Sequence, residues 1–282
     1  MERQLMIKLI ATDLDGTLLC ADSVTVSDEN IAALRAASEK GIKIVIASGR
    51  THGVFSDGVT RLDMVDYAIM SNGAAIMEYR DGRALDRIPV TEMPYEVWTH
   101  AYDLISDAGA HPEMYALGKS FMDESRRDGF TSPIISPALV AELKSHAGFV
   151  PDAKDALRGK PAEKICVLSV PEETREDLMK KIAADDRICY TNAIPGNLEV
   201  NAKGTNKGNA LALLCEKLGI APDEVMAFGD ASNDIAMLRF AGCSVAMGNA
   251  SDEVKKTCLH VTATNVEHGV AKAIYKYAIK SE

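Results

Sequence analysis

A chain of 282 residues with 47% hydrophobic content can bury one large core or two smaller ones. Its net charge of −10 makes simple electrostatic capture of nucleic acid phosphates unfavourable. An anionic substrate stays open where a bound cation reverses the local field.

The stretch MERQLMIKLIATD has no long apolar core followed by a small-residue cleavage site, so it reads as a first strand and not a signal peptide. That strand, residues 7–12, gives way to DLDGTLL at 13–19. Two aspartates one residue apart, Asp13 and Asp15, are unfavourable at a buried strand end unless a cation or a reacting group compensates. An aspartate-rich turn ended by Gly16 is the plainer alternative. Ser27 offers an N-cap, Ile31 and Leu34 keep helical spacing, and Gly41 is the stop. Residues 42–47 form a second apolar strand closing on Ser48–Gly49–Arg50, and Tyr67–Met70 a third closing on Ser71–Asn72–Gly73. This rhythm predicts parallel pairing in a doubly wound sheet. Residues 75–90 alternate around Asp81–Gly82, as a hairpin does.

Pro94 to Ala108 has helical periodicity, whereas 110–160 shows no clear pattern. Lys164–Val170 reads as a strand, Glu172–Ala184 as a helix and Ile188–Thr191 as a strand. The strand–helix rhythm then returns: a helix from Asn206 to Leu218, a strand at Val225–Phe228, a helix at Ile235–Phe240 and a strand at Cys243–Met247. A last strand at Leu259–Thr262 and a helix at Val270–Ala278 close the chain. The predicted fold is α/β: a doubly wound, Rossmann-like parallel-sheet core at 1–88 and 191–282, with an inserted α/β cap at 89–190. Cys20, Cys166, Cys189, Cys215, Cys243 and Cys258 form no CxxC pair or zinc pattern and mostly lie in apolar runs, which points to reduced thiols and a cytoplasmic setting. No apolar stretch approaches the roughly 18 residues of a membrane helix, so no membrane partner is expected.

Four polar clusters stand at strand ends or helix starts: Asp13 with Asp15, Ser48, Lys207, and Asp230 with Asn233 and Asp234. The carboxyl ends of parallel strands face one crevice, so separation in sequence does not keep these groups apart. Three or more aspartates there would form the hard oxygen site that Mg²⁺ prefers. Lys207 sits in a first helical turn, where the macrodipole disfavours a cation; a phosphate would account for it, and a solvated lysine is the alternative. Ser48–Gly49 offers a hydroxyl and backbone amides to an anion, although such pairs also mark ordinary turns.

In order and context, DLDGTL (13–18), ASGR (47–50), Lys207 within KGTNKGNAL (203–211) and GDASND (229–234) resemble the four motifs of the haloacid dehalogenase-like phosphatases. The order of core, insertion and core resembles the Cof-type branch with a class IIB cap, and SNGA (71–74), AMGNA (246–250) and TNVEHGVAKAI (264–274) are similar to further family stretches. The resemblance implies that Asp13 attacks phosphorus and forms an aspartyl-phosphate, while Asp15 protonates the leaving alkoxide and later takes a proton from water. It implies Mg²⁺ on the Asp13 carboxylate, the Asp15 carbonyl and Asp230, with Ser48, Gly49, Lys207 and Asn233 on the phosphoryl oxygens. Asp234 would orient Lys207 or a metal-bound water, unless it is merely a helix N-terminal acid. Asn72 would border the phosphate or the cap, unless it is only a turn residue.

His268 stands where such proteins commonly carry aspartate and reads as a helix-start or loop histidine. The implied reaction is Mg²⁺-dependent hydrolysis of a small phosphate ester, a sugar phosphate or a phosphorylated cofactor such as pyridoxal phosphate. Cap residues would select the leaving group, with Glu113, Tyr115, Arg126, Arg127 and Lys164 as candidates. A phosphomutase is the alternative enzyme. A non-catalytic binding module would be expected to lose Asp13, Asp15, Lys207 or Asp230, and all four are present.

Overall fold

Four buried residues, Leu9–Thr12, form strand β1 near the middle of an eight-stranded sheet. The computed structural model describes residues 6–55, 59, 61–131, 137–192 and 196–279. It separates into two units, one of Met1–Gly49, Phe55–Ile88 and Asn206–Glu282, the other of Arg50–Val54 and Pro89–Thr205.

In the first unit β1 is followed by β2 (Lys43–Ala47), β3 (Tyr67–Met70), β4 (Ala75–Arg80) and β5 (Arg83–Pro89). Strands β12 (Val225–Gly229), β13 (Cys243–Ala246) and β14 (His260–Val261) complete the sheet in the order β14-β13-β12-β1-β2-β3-β4-β5. Pairing is parallel from β14 to β3 and antiparallel between β3 and β4. Of the parallel strands, β1, β2, β3, β12 and β13 are buried on both faces, which is why they appear as apolar runs. Asp81 and Gly82 both take positive φ, the requirement of a two-residue hairpin turn.

Helix Asp28–Glu39 starts at Ser27, whose side chain accepts from the Asn30 amide, and it buries Ala33, Leu34 and Ala37. Helix Lys207–Leu218 starts at Asn206, whose side chain accepts from the Asn209 amide, and ends on left-handed Gly219. Register fixes the site. Thr12 lies opposite Ile46 on β2 and Phe228 on β12, so the residues that follow these three strands emerge at one end of the sheet. The strand order reverses between β1 and β12, the place where open α/β sheets form their crevice.

The second unit holds a six-stranded sheet. Its strands are β6 (Pro112–Ala116), β7 (Lys119–Asp123), β8 (Gly148–Val150), β9 (Lys164–Val167), β10 (Ile188–Thr191) and β11 (Leu198–Ala202). They are ordered β10-β11-β9-β6-β7-β8. Because β11 pairs between β10 and β9, the chain stays in this unit as far as Thr205. Met114, Ile165, Val167, Leu198 and Val200 pack with Trp98 and Ile105 of helix Tyr95–Asp107 and with Leu178 and Ile182 of helix Glu172–Ala184. Trp98 satisfies its indole N–H on the Lys160 carbonyl at 2.9 Å. The residues between these apolar ones point to the other face of the sheet, which is polar.

Candidate active site

Asp13 is the first residue beyond β1, and its amide donates to the Phe228 carbonyl at 3.1 Å. The chain then turns through 14–18, with Gly16 at φ +77°. A Cβ on Gly16 would lie 2.4 Å from Asp230 Oδ2, so only glycine fits both the left-handed backbone and the carboxylate beside it. We expect Gly16→Ala to cost about 1–2 kcal/mol from backbone handedness alone. The displaced Asp230 should lower turnover as well. A thermal melt and a phosphate-release assay check both, and wild-type turnover would refute the close approach. Next in the chain, the Thr17 hydroxyl donates to Asp230 Oδ1 at 2.8 Å.

Lys207 opens its helix fully buried, and its ammonium lies 2.6 Å from Asp13 Oδ1 and 2.6 Å from Asp234 Oδ1. The other oxygen of Asp234 accepts from the Asp230 and Ala231 amides at 3.0 and 3.1 Å. Carboxylate oxygens of Asp13, Asp230 and Asp234 all lie within 4.8 Å of one another. Protein donors occupy both oxygens of Asp234, so it acts as the counter-ion that holds Lys207, and Asp13 and Asp230 are the two that could face a metal. Burial, and then the Asp234 charge, push the Asp13 carboxyl well above its usual range against the pull of Lys207. Burial, with Asp234 and against the Thr17 bond, pushes Asp230 up to about 6. Burial pulls Lys207 down, but Asp13 and Asp234 outweigh it and hold the ammonium charged. Three carboxyl groups thus share one ammonium, and a divalent cation with oxygen ligands would supply the missing charge.

A second set of residues borders the first. Ser48, buried at the end of β2, donates its amide to Ile69 O at 2.8 Å and accepts at its carbonyl from the Asn72 amide at 3.1 Å. Gly49 follows it. Asn72 takes φ +62°, and its Oδ1 accepts from Asn233 Nδ2 at 3.3 Å. A Cβ on Gly73 would sit 2.3 Å from Asn206 O, so this turn packs directly on the start of the Lys207 helix. Asp15 lies on the same turn as Gly16, exposed, and its charge acts on Asp13. His268 is left-handed and sits 3.0 Å from Ser27 Oγ and 3.6 Å from Glu29 Oε2, at helix starts as expected. Two further residues hold this turn: Thr17, on Asp230, and Asn249, whose side chain donates to Gly16 O at 2.8 Å. Both lie in stretches already notable in sequence, but only the fold shows what they hold.

The fold, with its acidic cluster at the switch point of a Rossmann-like sheet, is that of a phosphate-ester hydrolase. The model of the haloacid dehalogenase-like hydrolases matches residues 10–274, and the chain belongs to that family. The 5-amino-6-(5-phospho-D-ribitylamino)uracil phosphatase YcsE of Bacillus subtilis (strain 168) is 33% identical over 273 residues, covering 97% of this chain and 96% of its own. Among solved structures, the phosphatase BT1666 from Bacteroides thetaiotaomicron superposes with a TM-score of 0.77 at 29% identity, covering 99% of this chain and 98% of its own. The subclass IIB sugar phosphatase BT4131 does so at 0.78 and 26%, covering 97% and 100%. The chain is a Cof-type phosphatase, a phosphomonoesterase of small phosphorylated substrates. Among the described residues no helix is long and apolar enough to cross a membrane.

Proposed function

We propose that this phosphatase hydrolyses a sugar or sugar-alcohol phosphate, or a phosphorylated cofactor, with Mg²⁺ and through an aspartyl-phosphate on Asp13. The observation that carries the reading is the buried Lys207 ammonium, held at 2.6 Å by both Asp13 and Asp234 beside Asp230. An Asp13 oxygen attacks phosphorus and the bond to the ester oxygen breaks, while Asp15 gives that oxygen a proton. Water then attacks the acyl-phosphate, Asp15 takes its proton, and inorganic phosphate leaves with Asp13 restored. Lys207, the Ser48 hydroxyl, the Gly49 amide and the Asn233 amide hold the phosphoryl oxygens in line. Asp234 keeps Lys207 in place, and Asn72 steadies Asn233 and Ser48. Asp13, the Asp15 carbonyl and Asp230 would hold Mg²⁺, which offsets charge on the transferring group when bound.

The choice of leaving group falls to residues of the second unit. The names of YcsE and BT4131 speak of a ribityl phosphate and of sugar phosphates, which supports a leaving group rich in hydroxyls. Six free cysteines suit a reducing, cytoplasmic compartment.

A panel of sugar phosphates, alditol phosphates and pyridoxal phosphate, followed by ³¹P NMR with and without chelator, tests the reading. Free phosphate should appear with Mg²⁺ and vanish on chelation. An isomerised ester without phosphate release would favour a mutase, and an inert panel would overturn the proposal. Mg²⁺ should also raise the unfolding midpoint of chelator-stripped protein, the bound ion adding about 2.7 kcal/mol to the unfolding free energy at a hundredfold excess over its Kd. No shift would remove the metal from the site.

A further inference from the structure

Strands β13 and β14 supply nothing to the mechanism above, yet the residues that follow them reach the catalytic turn. Asn249 Nδ2 donates to the Gly16 carbonyl at 2.8 Å, and Asn249 Oδ1 accepts from the Asn265 amide at 3.0 Å. Asn265 Nδ2 in turn donates to the Leu19 carbonyl at 2.9 Å. The two side chains thus form a relay that grips the 14–19 segment at its tip and at its base, where the Leu19 amide also donates to Leu14 O at 2.9 Å. The relay stands on a tightly packed support. The Gly248 amide donates to Ala263 O at 3.0 Å, and a Cβ on Gly248 would lie 2.9 Å from the backbone of Ala263 and of Thr264. Glu267 accepts from both the amide and the hydroxyl of Thr264, and the Gly269 amide donates to Thr264 O at 3.0 Å.

An asparagine amide has one accepting and one donating end. With Oδ1 taken by the Asn265 amide, Nδ2 of Asn249 is aimed at the Gly16 carbonyl, a bond that an aspartate could not donate. What that bond controls follows from the backbone. Asp15 (φ −73°, ψ 120°) and Gly16 (φ 77°, ψ −2°) are the two central residues of a type II turn. Asp230 leaves room only for glycine at position 16, and glycine is the residue that most readily takes other backbone angles. Rotation there would swing the neighbouring Asp15 out of place, and burial does not prevent it, since Asp15 is exposed. We propose that Asn249, held by Asn265, is a positioning residue: it fixes the Gly16 peptide and so keeps Asp15 aligned to give its proton to the ester oxygen as the bond from that oxygen to phosphorus breaks. The role of Asp15 as the acid rests on the phosphatase reading; the grip on the turn does not.

Ribitol 5-phosphate, whose alkoxide needs a proton to leave, and p-nitrophenyl phosphate, whose phenolate does not, separate positioning from a general structural role. At saturating Mg²⁺, kcat/KM counts only the steps up to release of the alcohol. Asn249→Ala should lower it about five- to tenfold for the alkyl ester and no more than about twofold for the aryl ester. Asn249→Asp keeps the shape and the bond from Asn265 but removes the donor, and should give the same split. The Asn249 side chain is exposed, so neither variant opens a cavity. Beside Asp15→Asn, Asn249→Ala should cost the alkyl ester no more than about twofold, because the group it positions is already gone. Hydrogen exchange over 13–19 of the full chain should quicken severalfold in both Asn249 variants. Equal losses on the two esters, wild-type kcat/KM on the alkyl ester, an undiminished cost beside Asp15→Asn, or unchanged exchange over 13–19 would overturn the assignment. The mechanism itself is judged separately. If Asp15→Asn alone spares the alkyl ester, or the wild-type chain releases phosphate from neither ester, the phosphatase reading falls, while exchange over 13–19 still judges the grip.

Discussion

Asp13→Asn should abolish phosphate release, by at least about a thousandfold in kcat, while the protein melts at or above its wild-type temperature. The two halves of that expectation have different causes. Asparagine keeps the shape of the side chain at the end of β1 but offers no nucleophilic oxygen. It also relieves a crowded interior: Asp13 is buried against Asp230 and Asp234, and its carboxyl already resists ionisation. Lys207 keeps Asp234 as a partner, so the substitution does not strand its charge. Single-turnover phosphate release and a thermal melt in the same buffer measure both. Turnover near wild type would end the covalent mechanism. Lost turnover with a collapsed melt would mean that Asp13 acts through structure.

What could be read from sequence follows from which strands are buried on both faces. β1, β2, β3, β12 and β13 are continuous apolar runs because both sides are covered, and such runs are visible without a structure. The Asp81–Gly82 turn was legible because both residues tolerate positive φ. The region 110–160 was not. β6 begins at a proline and carries a buried glutamate, Glu113, and it is joined to β7 by a turn in which Leu117 itself takes φ +55°. Nothing in turn propensities marks a leucine for that role. β11 hides for the same reason: Glu199 and Asn201 are buried polar residues that break its apolar pattern.

The site divides in a similar way. The aspartates and Lys207 could be named from their motifs, since strand ends of a parallel sheet converge wherever they fall in sequence. The division of labour among the carboxylates could not. That Asp234 spends one oxygen on Lys207 and the other on two amides depends on how the 230–234 turn meets the Lys207 helix. A Cβ on Gly208 would lie 2.6 Å from the Ala236 backbone, so those two segments are in close contact. Spacing in one dimension carries no record of that approach.

Lys207→Met should be the most destabilising single change at the site, and it should slow turnover as well. Methionine nearly preserves the volume, so the loss isolates the charge. Asp13 and Asp234 would then be buried with no cation, a situation that costs about 3–5 kcal/mol. Asp13 can lessen the penalty by taking up a proton, because its carboxyl already lies well above the usual range. Asp234 would keep only the Asp230 and Ala231 amides as partners. On catalysis, losing one preorganised donor to the transferring group should cost about 2.7–4 kcal/mol, or a hundred- to a thousandfold. Urea unfolding gives the first quantity and kcat the second. Mg²⁺ should shrink the stability deficit, because a bound ion restores part of the missing charge. Lys207→Arg separates charge from shape: it should recover stability more than rate, since a guanidinium cannot reproduce a compact ammonium between two carboxylates. A Lys207→Met protein with wild-type stability and turnover would show that the ammonium does not hold these carboxylates together, and the reading of the site would fall with it.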